Sequence, residues 1–457
     1  MNEASADLAG HDWNQYAALG RGPQEILIGP GVRSELVRVV AGLSAQRVAL
    51  LTDGCAIDSP DGDLKTWVAQ QLATLNVAVD QVRLVADATA DEETVEQARS
   101  GCERADIVVT VGSGTITDIG KVAAGPKPHV VLQTAASVNG YSDDESVLLR
   151  KGVKRTTHSA YPHTLIVDSD VVALAPVELN RSGLGDMISM FTAPADWYLA
   201  NQLTLGTGWD SDVALLARRH GDALLRWAAG IGSADRQALD GLSTLLTLSG
   251  ISMGLAGQTA PSSGMEHTVS HMLDMAALSG GIAHNLHGAQ VGVTTLWASL
   301  LWRRVVDHLD STQAAQLSIP DFAQARDQVF AAFADVDSTG SAAHECWADY
   351  QVKLTAIHAP GVISAFERFR ADWSHHRAVI TGSMLQDPKA IARALRVAGA
   401  PRRSSDLVGS QAEIAQWALS NNHRMRRRFN VCDFAFLLGL WNEDVAAEII
   451  AEADSLA

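Results

Sequence analysis

The order of secondary-structure signals most constrains the fold of this chain, because that order changes character near residue 176. Before this point, short apolar runs of strand length alternate with amphipathic stretches of helical length and with glycine-containing turns. This alternation predicts a mostly parallel sheet with helices on its faces. After it, long Ala- and Leu-rich amphipathic stretches predict helices. We therefore expect an α/β region followed by an all-helical one.

The predicted elements divide the chain into three segments. We expect a flexible N-terminus over residues 1–20, an α/β domain over 21–176 and a helical domain over 177–457. The predicted strands are Glu25–Ile28, Arg47–Thr52, Val82–Leu84, Asp106–Val111, His129–Gln133 and Thr164–Asp168. The predicted helices of the last segment are 178–203, 209–230, 235–256, 263–279, 287–309, 320–336 and 410–450. Ligands of open parallel sheets bind at the carboxyl ends of the strands, so we expect functional loops there.

Composition excludes several classes of protein. A formal net charge of -17 argues against a nucleic-acid-binding protein, which needs a basic face. We find no run of about 18 apolar residues, so no membrane span is expected. The first twenty residues lack the basic start and apolar run of a secretory signal. The four cysteines, at positions 55, 102, 346 and 432, are isolated in sequence and indicate reduced thiols in the cytoplasm.

A glycine-rich turn follows the most regular predicted strand and precedes a predicted helix over Thr117–Ala124. The turn consists of Gly112, Ser113, Gly114, Thr115, Ile116, Thr117 and Asp118. Glycines let backbone N–H groups approach phosphate oxygens, and the helix N-terminus adds partial positive charge. The spacing is not that of the six-residue dinucleotide fingerprint. In this context the turn favours a phosphate site, with an ordinary strand-to-helix connection as the alternative.

A second loop follows the next predicted strand. It begins with Thr134, Ala135, Ala136 and Ser137 and continues to Tyr141. Small hydroxyl residues after a buried strand can cap a helix or line the same phosphate cleft. Taken alone, the loop favours the helix cap.

Histidines and a carboxylate form a candidate metal site. His267 and His271 are four residues apart, so a helix places both imidazoles on one face. His287 follows, and His284 is the weakest candidate. Asp186 lies at a predicted loop-to-helix junction. One carboxylate with two or three histidines suits a divalent ion such as zinc, nickel or iron. From spacing alone, chance pairing among the 15 histidines is the favoured alternative.

In this order, the segments resemble those of the iron-containing alcohol dehydrogenase and dehydroquinate synthase-like superfamily, most closely its sn-glycerol-1-phosphate dehydrogenases. The resemblance spans residues 20–445. The matching segments are 28–32, 112–118, 134–137, 185–188 with 195–197, 263–267 with His271, 287–291 and 427–439. The resemblance implies an N-terminal Rossmann-like nucleotide-binding domain followed by an all-helical metal-binding domain. It places the active site in the cleft between them.

The resemblance also implies roles for individual residues. Asp186, His267 and His287 resemble the metal ligands, and His271 resembles the histidine that contacts substrate. The implied catalytic residues are His271, Asp186 and Asn139. The implied cofactors are NAD or NADP and one divalent ion, zinc, nickel or iron. The implied cofactor-binding residues are Gly112, Ser113, Gly114, Thr115, Ile116, Thr117, Asp118, Thr134, Ala135, Ala136, Ser137, Ser142 and Asp143.

Two positions depart from the family pattern. Asn139 stands where the family usually has Asp, and a neutral amide cannot act as a base. Asp143 stands where the family usually has a Ser that contacts the cofactor, and Ser142 is the alternative for that role. Asp143 begins an acidic run that would repel a phosphate.

The expected function is NAD(P)-linked interconversion of dihydroxyacetone phosphate and sn-glycerol 1-phosphate, or of a related polyol phosphate. The alternatives are a dehydroquinate-synthase-like sugar-phosphate cyclase and a catalytically degenerate binding paralogue. The implied partners are a small phosphorylated substrate and further copies of the chain, in a homodimer or higher homo-oligomer. Asp53, after the second strand, weakly favours NAD. The basic run of Arg424 and residues 426–428 favours a solvated helix face, and no donor for the substrate phosphate is identified.

Overall fold

A computed structural model describes residues 11–86, 88–150, 153–312, 316–334, 336–337, 339–407, 409 and 412–457. The first half of the predicted flexible N-terminus, residues 1–10, therefore lies outside the described residues. Two compact units emerge: Met1–Met187 with Asp222–Gly257, and Ile188–Gly221 with Gln258–Ala457. The domain boundary at residue 176 and the binding roles of the two predicted domains stay predictions.

The first unit is built on a six-stranded parallel sheet. In chain order its strands are β1 (Glu25–Gly29), β2 (Arg47–Thr52), β3 (Ala78–Arg83), β4 (Ile107–Gly112), β5 (His129–Gln133) and β6 (Thr164–Asp168). Their spatial order is β1-β6-β5-β4-β2-β3, and each neighbouring pair is parallel. The winding reverses between the neighbours β4 and β2, and ligands of open α/β sheets bind at such a switch point.

Helices cover both faces of this sheet, so its central strands are buried throughout. Leu36–Gly42 and Leu64–Ala73 pack on one face, and Glu92–Cys102 and Gly114–Ala124 pack on the other. The edge strand β3 begins four residues earlier than predicted. Its outer residues stay exposed, so it lacks the apolar run that marks the central strands.

The first unit also contains five further helices, a 3-10 turn and two hairpins outside the six-stranded sheet. Its other helices are Asn14–Ala18, Ser169–Val172, Val177–Ile188, Gly221–Gly232 and Arg236–Ala256, with a 3-10 turn at Val32–Glu35. Two antiparallel hairpins, Asp58–Ser59 with Gly62–Asp63 and Glu145–Arg150 with Val153–His158, are not in the predicted set. Among the described helices, Arg236–Ala256 alone is long and apolar enough to cross a membrane, but 89% of its most apolar window is buried inside the protein.

The second unit is helical in its described residues, as predicted. Its α-helices are Ala193–Gln202, Ser211–Ala214, Met265–Gly280, His287–Ser311, Phe322–Phe333, Ser341–Ile357, Pro360–Ala371, Trp373–Val379, Pro388–Ala398, Ala412–Asn421, Val431–Leu437 and Glu443–Leu456. Short 3-10 turns lie at Ser189–Phe191, Arg218–His220, Ser404–Asp406 and Asn422–Arg424, and a π-helical turn lies at Ile380–Met384. The predicted fold class, an α/β region followed by a helical one, is confirmed.

Three of the long predicted helices are wrong in extent. The stretch 209–230 is divided into Ser211–Ala214, the 3-10 turn Arg218–His220 and Gly221–Gly232. The stretch 178–203 is broken because Pro194, which has no backbone N–H, sits in the first turn of a new helix. The stretch 410–450 is broken because Asn430 and Asn442 each cap a new helix by accepting from its first-turn amides. Apolar periodicity continues across such breaks, so it cannot reveal them.

Candidate functional site

The glycine turn is tighter than the sequence predicts. The helix begins at Gly114, so only Ser113 separates it from β4, which ends at Gly112. A Cβ added at Gly114 would lie 2.8 Å from Val138, a contact no ordinary side chain makes. A larger residue at this position would have to displace Val138, where the second loop packs against the turn. The helix presents its first-turn amides at the carboxyl end of β4, an arrangement suited to an anion.

The second loop joins the glycine turn. Thr134 donates its backbone N–H to the Gly112 carbonyl at 3.2 Å. Asn180 accepts from the backbone N–H of Ala136 at 3.0 Å, and Ser137 hydrogen-bonds to the Tyr141 hydroxyl at 3.1 Å. No helix begins between residues 134 and 144, all of which the structure describes. The helix-cap interpretation is therefore wrong, and the loop is a buried neighbour of the glycine turn.

Three of the predicted cofactor-binding residues are buried or hydrogen-bonded within the protein. Thr117 is fully buried, and Asp118 accepts from the backbone N–H of Val147 at 3.2 Å. Ser142 is also fully buried and donates its hydroxyl to the Thr247 carbonyl at 2.9 Å. Their cofactor roles stay predictions, and these contacts give them no support.

Asp143 belongs to a buried ion pair. Its carboxylate accepts from Lys121, whose side chain is fully buried and also donates to the carbonyls of Gly140 at 2.6 Å and Glu145 at 2.9 Å. Burial raises the pKa of Asp143, and the charge of Lys121 opposes that rise. A neutralised carboxylate presents no free charge. The repulsion of a phosphate that we expected at this residue therefore has no basis in the structure.

Asn139 and Asp186 are direct partners. The backbone N–H of Asn139 donates to Asp186 Oδ2 at 2.9 Å, and the Asn139 amide donates to the Ser249 hydroxyl at 3.0 Å. An amide NH2 can make this second bond, whereas a carboxylate cannot donate. Asp186 is fully buried in the last turn of the helix Val177–Ile188. The prediction of a loop-to-helix junction is wrong, because the helix starts directly after Pro176.

The structure brings three of the predicted histidines together. His267 and His271 lie on the helix Met265–Gly280, and His287 is the first residue of the next helix. The ring centroids of His267 and His271 lie 5.2 Å and 5.8 Å from that of His287. A ring nitrogen of His267 lies within 4.8 Å of one of His287. His284 is separate: its ring is exposed and lies 3.6 Å from the carboxylate of Asp274.

A buried carboxylate orients His267. Glu266 is fully buried, and its Oε1 lies 3.0 Å from His267 Nδ1 and accepts from the backbone N–H of Gly264 at 2.6 Å. The Thr192 hydroxyl donates to the other oxygen at 2.8 Å. With Nδ1–H donated to the carboxylate, His267 takes the tautomer in which Nε2 carries the lone pair that a metal ion requires.

A hydroxyl orients His287 in the same way. Ser270 Oγ lies 3.3 Å from His287 Nδ1 and donates to the Gln290 side-chain oxygen at 2.7 Å. Gln290 in turn donates to Asp274 at 3.2 Å. Sequence reasoning missed Glu266, Ser270 and Gln290 as functional residues. Their spacing offered a signal. Glu266 and Ser270 each directly precede a histidine, and residues four apart lie on one face of a helix.

A second buried acid lies in the same unit. Asp196 accepts from the backbone N–H groups of Met265 at 2.8 Å and Val431 at 3.1 Å, and from the Trp302 indole at 2.9 Å. Burial, reinforced by the nearby Glu266, raises the pKa of Asp196 well above its usual range. Two buried acids, Glu266 and Asp196, therefore lie in the region of His267 and His287.

One arginine of the basic run supports the segment before the histidine helix. Arg428 donates to the Ser263 carbonyl and to the Thr259 hydroxyl, the latter at 2.6 Å. Burial lowers its pKa to about 10. It lies in an irregular segment between Asn422–Arg424 and Val431–Leu437. The interpretation of the run as a solvated helix face is therefore wrong at Arg428.

Comparisons with known proteins show the family and the fold. A model of the iron-containing alcohol dehydrogenases matches residues 27–176. Glycerol-1-phosphate dehydrogenase (NAD(P)+) of Aeropyrum pernix is 32% identical over 316 residues, which cover 65% of this chain and 86% of that protein. The enzyme of the same name from Bacillus licheniformis is 29% identical over 300 residues, covering 65% and 74%. Glycerol dehydrogenase from Schizosaccharomyces pombe shares the fold, with a TM-score of 0.58 at 15% identity over 95% of this chain and 91% of that one.

Proposed function

Because this chain belongs to the family of iron-containing alcohol dehydrogenases, an NAD(P)-dependent oxidoreductase family, we propose that it reduces dihydroxyacetone phosphate to sn-glycerol 1-phosphate. The relatives at about 30% identity carry the name glycerol-1-phosphate dehydrogenase, which supports this substrate. A closely related polyol phosphate would require the same chemistry.

The histidine pair carries this proposal. His267 and His287 each hold a hydrogen bond at Nδ1, so both can offer Nε2 to one ion. We assign Asp186 as the third ligand, which gives one carboxylate and two imidazoles. This donor set suits zinc, nickel or iron and leaves coordination positions for substrate oxygens. When bound, such an ion supplies a Lewis acid that polarises the substrate carbonyl and favours the alkoxide.

The protein's own groups handle the cofactor and the proton. The first-turn amides after Gly112, with Thr134 to Ser137 beside them, would hold the cofactor's pyrophosphate. Hydride would then pass from the nicotinamide to the carbonyl carbon. His271 is half-buried beside His287 and suits proton delivery to the alkoxide oxygen, because imidazole exchanges protons near neutral pH.

The cytoplasm remains the proposed compartment, since the four cysteines are free thiols and three of them are buried. A homodimer, which the resemblance implies, remains the proposed assembly.

The test is a reductase assay with protein reloaded separately with Zn²⁺, Ni²⁺ or Fe²⁺. Oxidation of NADH and of NADPH is followed with dihydroxyacetone phosphate, dihydroxyacetone and glyceraldehyde. We expect rapid oxidation with the phosphate ester alone. The product should resist oxidation by an sn-glycerol-3-phosphate dehydrogenase, because that enzyme requires the opposite configuration.

The controls separate the proposed site from the rest of the protein. His267→Ala should be inactive, whereas the exposed His284→Ala should retain activity. Metal-loaded protein that oxidises neither cofactor with any of these carbonyls would overturn the proposal. Conversion of a sugar phosphate without net change in NADH would instead indicate a cyclase.

A further inference from the structure

A cavity of about 350 Å³ lies in the first unit at the carboxyl ends of β2 and β3. Its wall includes Thr52, Gly54, Lys65, Thr66, Gln81 and Arg83. Strand β2 is the direct neighbour of β4, which leads into the glycine turn. Neighbouring strands lie roughly 5 Å apart. If the glycine turn holds the pyrophosphate, the adenosine half of a dinucleotide would reach this cavity.

The acid at the end of β2 is not available to a ribose. Asp53 is buried, and its Oδ1 accepts from Lys65 and from the backbone N–H of Cys55 at 3.1 Å. Lys65 also donates to the carbonyls of Asp53 at 2.9 Å and Cys55 at 2.5 Å. Dinucleotide sites that select NAD use a free carboxylate here, which binds the 2′-hydroxyl and repels a 2′-phosphate. In this chain a lysine neutralises that carboxylate.

An acid on the cavity wall, Asp63, is also engaged. Asp63 caps the helix Leu64–Ala73, where its Oδ1 accepts from the backbone N–H of Thr66 at 2.8 Å and from its hydroxyl at 2.6 Å. The helix N-terminus offsets part of this negative charge.

Of the two basic residues on the cavity wall, Lys65 is paired with Asp53, and Arg83 supplies the other positive charge. It is the last residue of β3 and lies in register with Thr52, next to Asp53. Its side chain is exposed, and no hydrogen bond or ion pair joins it to a described residue. A guanidinium binds phosphate oxygens with two parallel hydrogen bonds. The cavity thus lies beside a carboxylate that a lysine neutralises, and its wall contains an arginine with no ion-pair partner among the described residues.

We propose that Arg83 binds the 2′-phosphate of NADP(H), so that this chain takes NADP(H) at least as readily as NAD(H). The proposal rests on the proposed function, because it assumes a dinucleotide at the glycine turn. It reverses the preference for NAD that Asp53 suggests in the sequence.

Binding of NADPH and NADH, measured by fluorescence titration without any carbonyl substrate, tests the proposal directly. The variant is Arg83→Gln, and the matched control is Arg104→Gln. Arg104 is an exposed arginine in the turn before β4, at the opposite end of the sheet. Both variants lose one positive charge, so a general electrostatic effect would appear in both. Arg83→Lys should recover part of the affinity, since a lysine keeps the charge but not the paired hydrogen bonds.

We expect Arg83→Gln to weaken NADPH binding roughly 10- to 100-fold while NADH binding changes less than about twofold. Arg104→Gln should bind both as wild type does. Unchanged NADPH binding in Arg83→Gln, or a wild type that binds NADH at least about tenfold more tightly than NADPH, would overturn this inference alone. Failure of the folded protein to bind either dinucleotide would overturn the proposed function as well.

Discussion

Buried carboxylates have different partners in the unit that contains the glycine turn and in the unit that contains His267 and His287. In the first unit, Lys121 neutralises Asp143 and Lys65 neutralises Asp53. In the second unit, no described lysine or arginine forms a hydrogen bond or a salt bridge with Glu266 or Asp196, although the buried guanidinium of Arg428 interacts electrostatically with both. Backbone amides, a threonine and a tryptophan hold them instead. At Asp53 and Asp143 the first region thus presents no free negative charge to a phosphate, whereas in the second region Glu266 holds one of the histidines that would bind a cation.

The difference shows how a strongly acidic chain can offer a site to an anion. A net charge of -17 disfavours anions at long range, but solvent and salt screen that field. Local ion pairs remove the carboxylates that matter. In the second unit, the burial of Glu266 close to Asp196 is costly, and a cation bound to His267 would offset part of that cost.

The largest expected effect comes from removing a ligand of the proposed cation. His267→Ala should abolish both bound metal and NAD(P)H oxidation, because the ion loses one of its two imidazoles. Elemental analysis of reloaded protein and the reductase assay measure the two losses. His284→Ala is the matched control, since that ring is exposed. Full metal content in His267→Ala would mean that the acidic region serves another purpose.

Breaking the buried pair of the first unit should cost the most stability. Lys121→Met leaves Asp143 buried and uncompensated, and such a change costs about 3–5 kcal/mol. Chemical denaturation at neutral pH measures this loss. Lys389→Met, at an exposed lysine, is the control and should be neutral.

The double variant Lys121→Met/Asp143→Asn should recover much of the stability lost in Lys121→Met, because it removes the uncompensated charge. A single variant as stable as wild type would show that the pair does not neutralise this region.

A smaller effect is expected where a carboxylate acts through a histidine. Glu266→Gln keeps the shape but cannot hold the imidazole proton as strongly, so metal affinity should fall about 10- to 100-fold. Competition with a chelator measures the affinity, and thermal unfolding of the metal-free variant checks that the fold is intact. If the metal-free variant loses stability while metal affinity is unchanged, Glu266 is structural and does not position His267.

The smallest expected effect is a pH-dependent one at Asp240, a first-unit acid that no described cation pairs with. Burial raises the pKa of Asp240 to about 6 from an ordinary value of 3.8. The folded state therefore holds this proton more tightly than the unfolded state. Its stabilising effect is complete below about pH 4 and is lost as the pH rises through about 6.

Asp240→Asn should accordingly raise the melting temperature at pH 8 and leave it unchanged at pH 4. Melting curves at the two pH values measure this difference. An equal shift at both would assign the effect to packing and not to charge.

Local pattern alone determined much of this protein. The apolar strands β2, β4, β5 and β6, the glycine turn and the four-residue spacing of His267 and His271 are encoded in consecutive residues, so periodicity reveals them. The ordered motifs also identified the family. The edge strand β3 and the helix breaks at Pro194 and Asn430 were harder, because exposure and capping interrupt or hide that periodicity.

Only the tertiary structure decided how the charged groups act. Asp143 reads in the sequence as a repulsive acid, yet Lys121, 22 residues away, neutralises it. The sequence predicts that Asp53 selects NAD, but in the structure Lys65 neutralises its carboxylate. The sequence predicts that Arg428 is solvated, but in the structure it donates to Ser263 and Thr259. The effect of a charge depends on its burial and on its partner. Both are set by contacts between residues distant in sequence, which a local pattern does not contain.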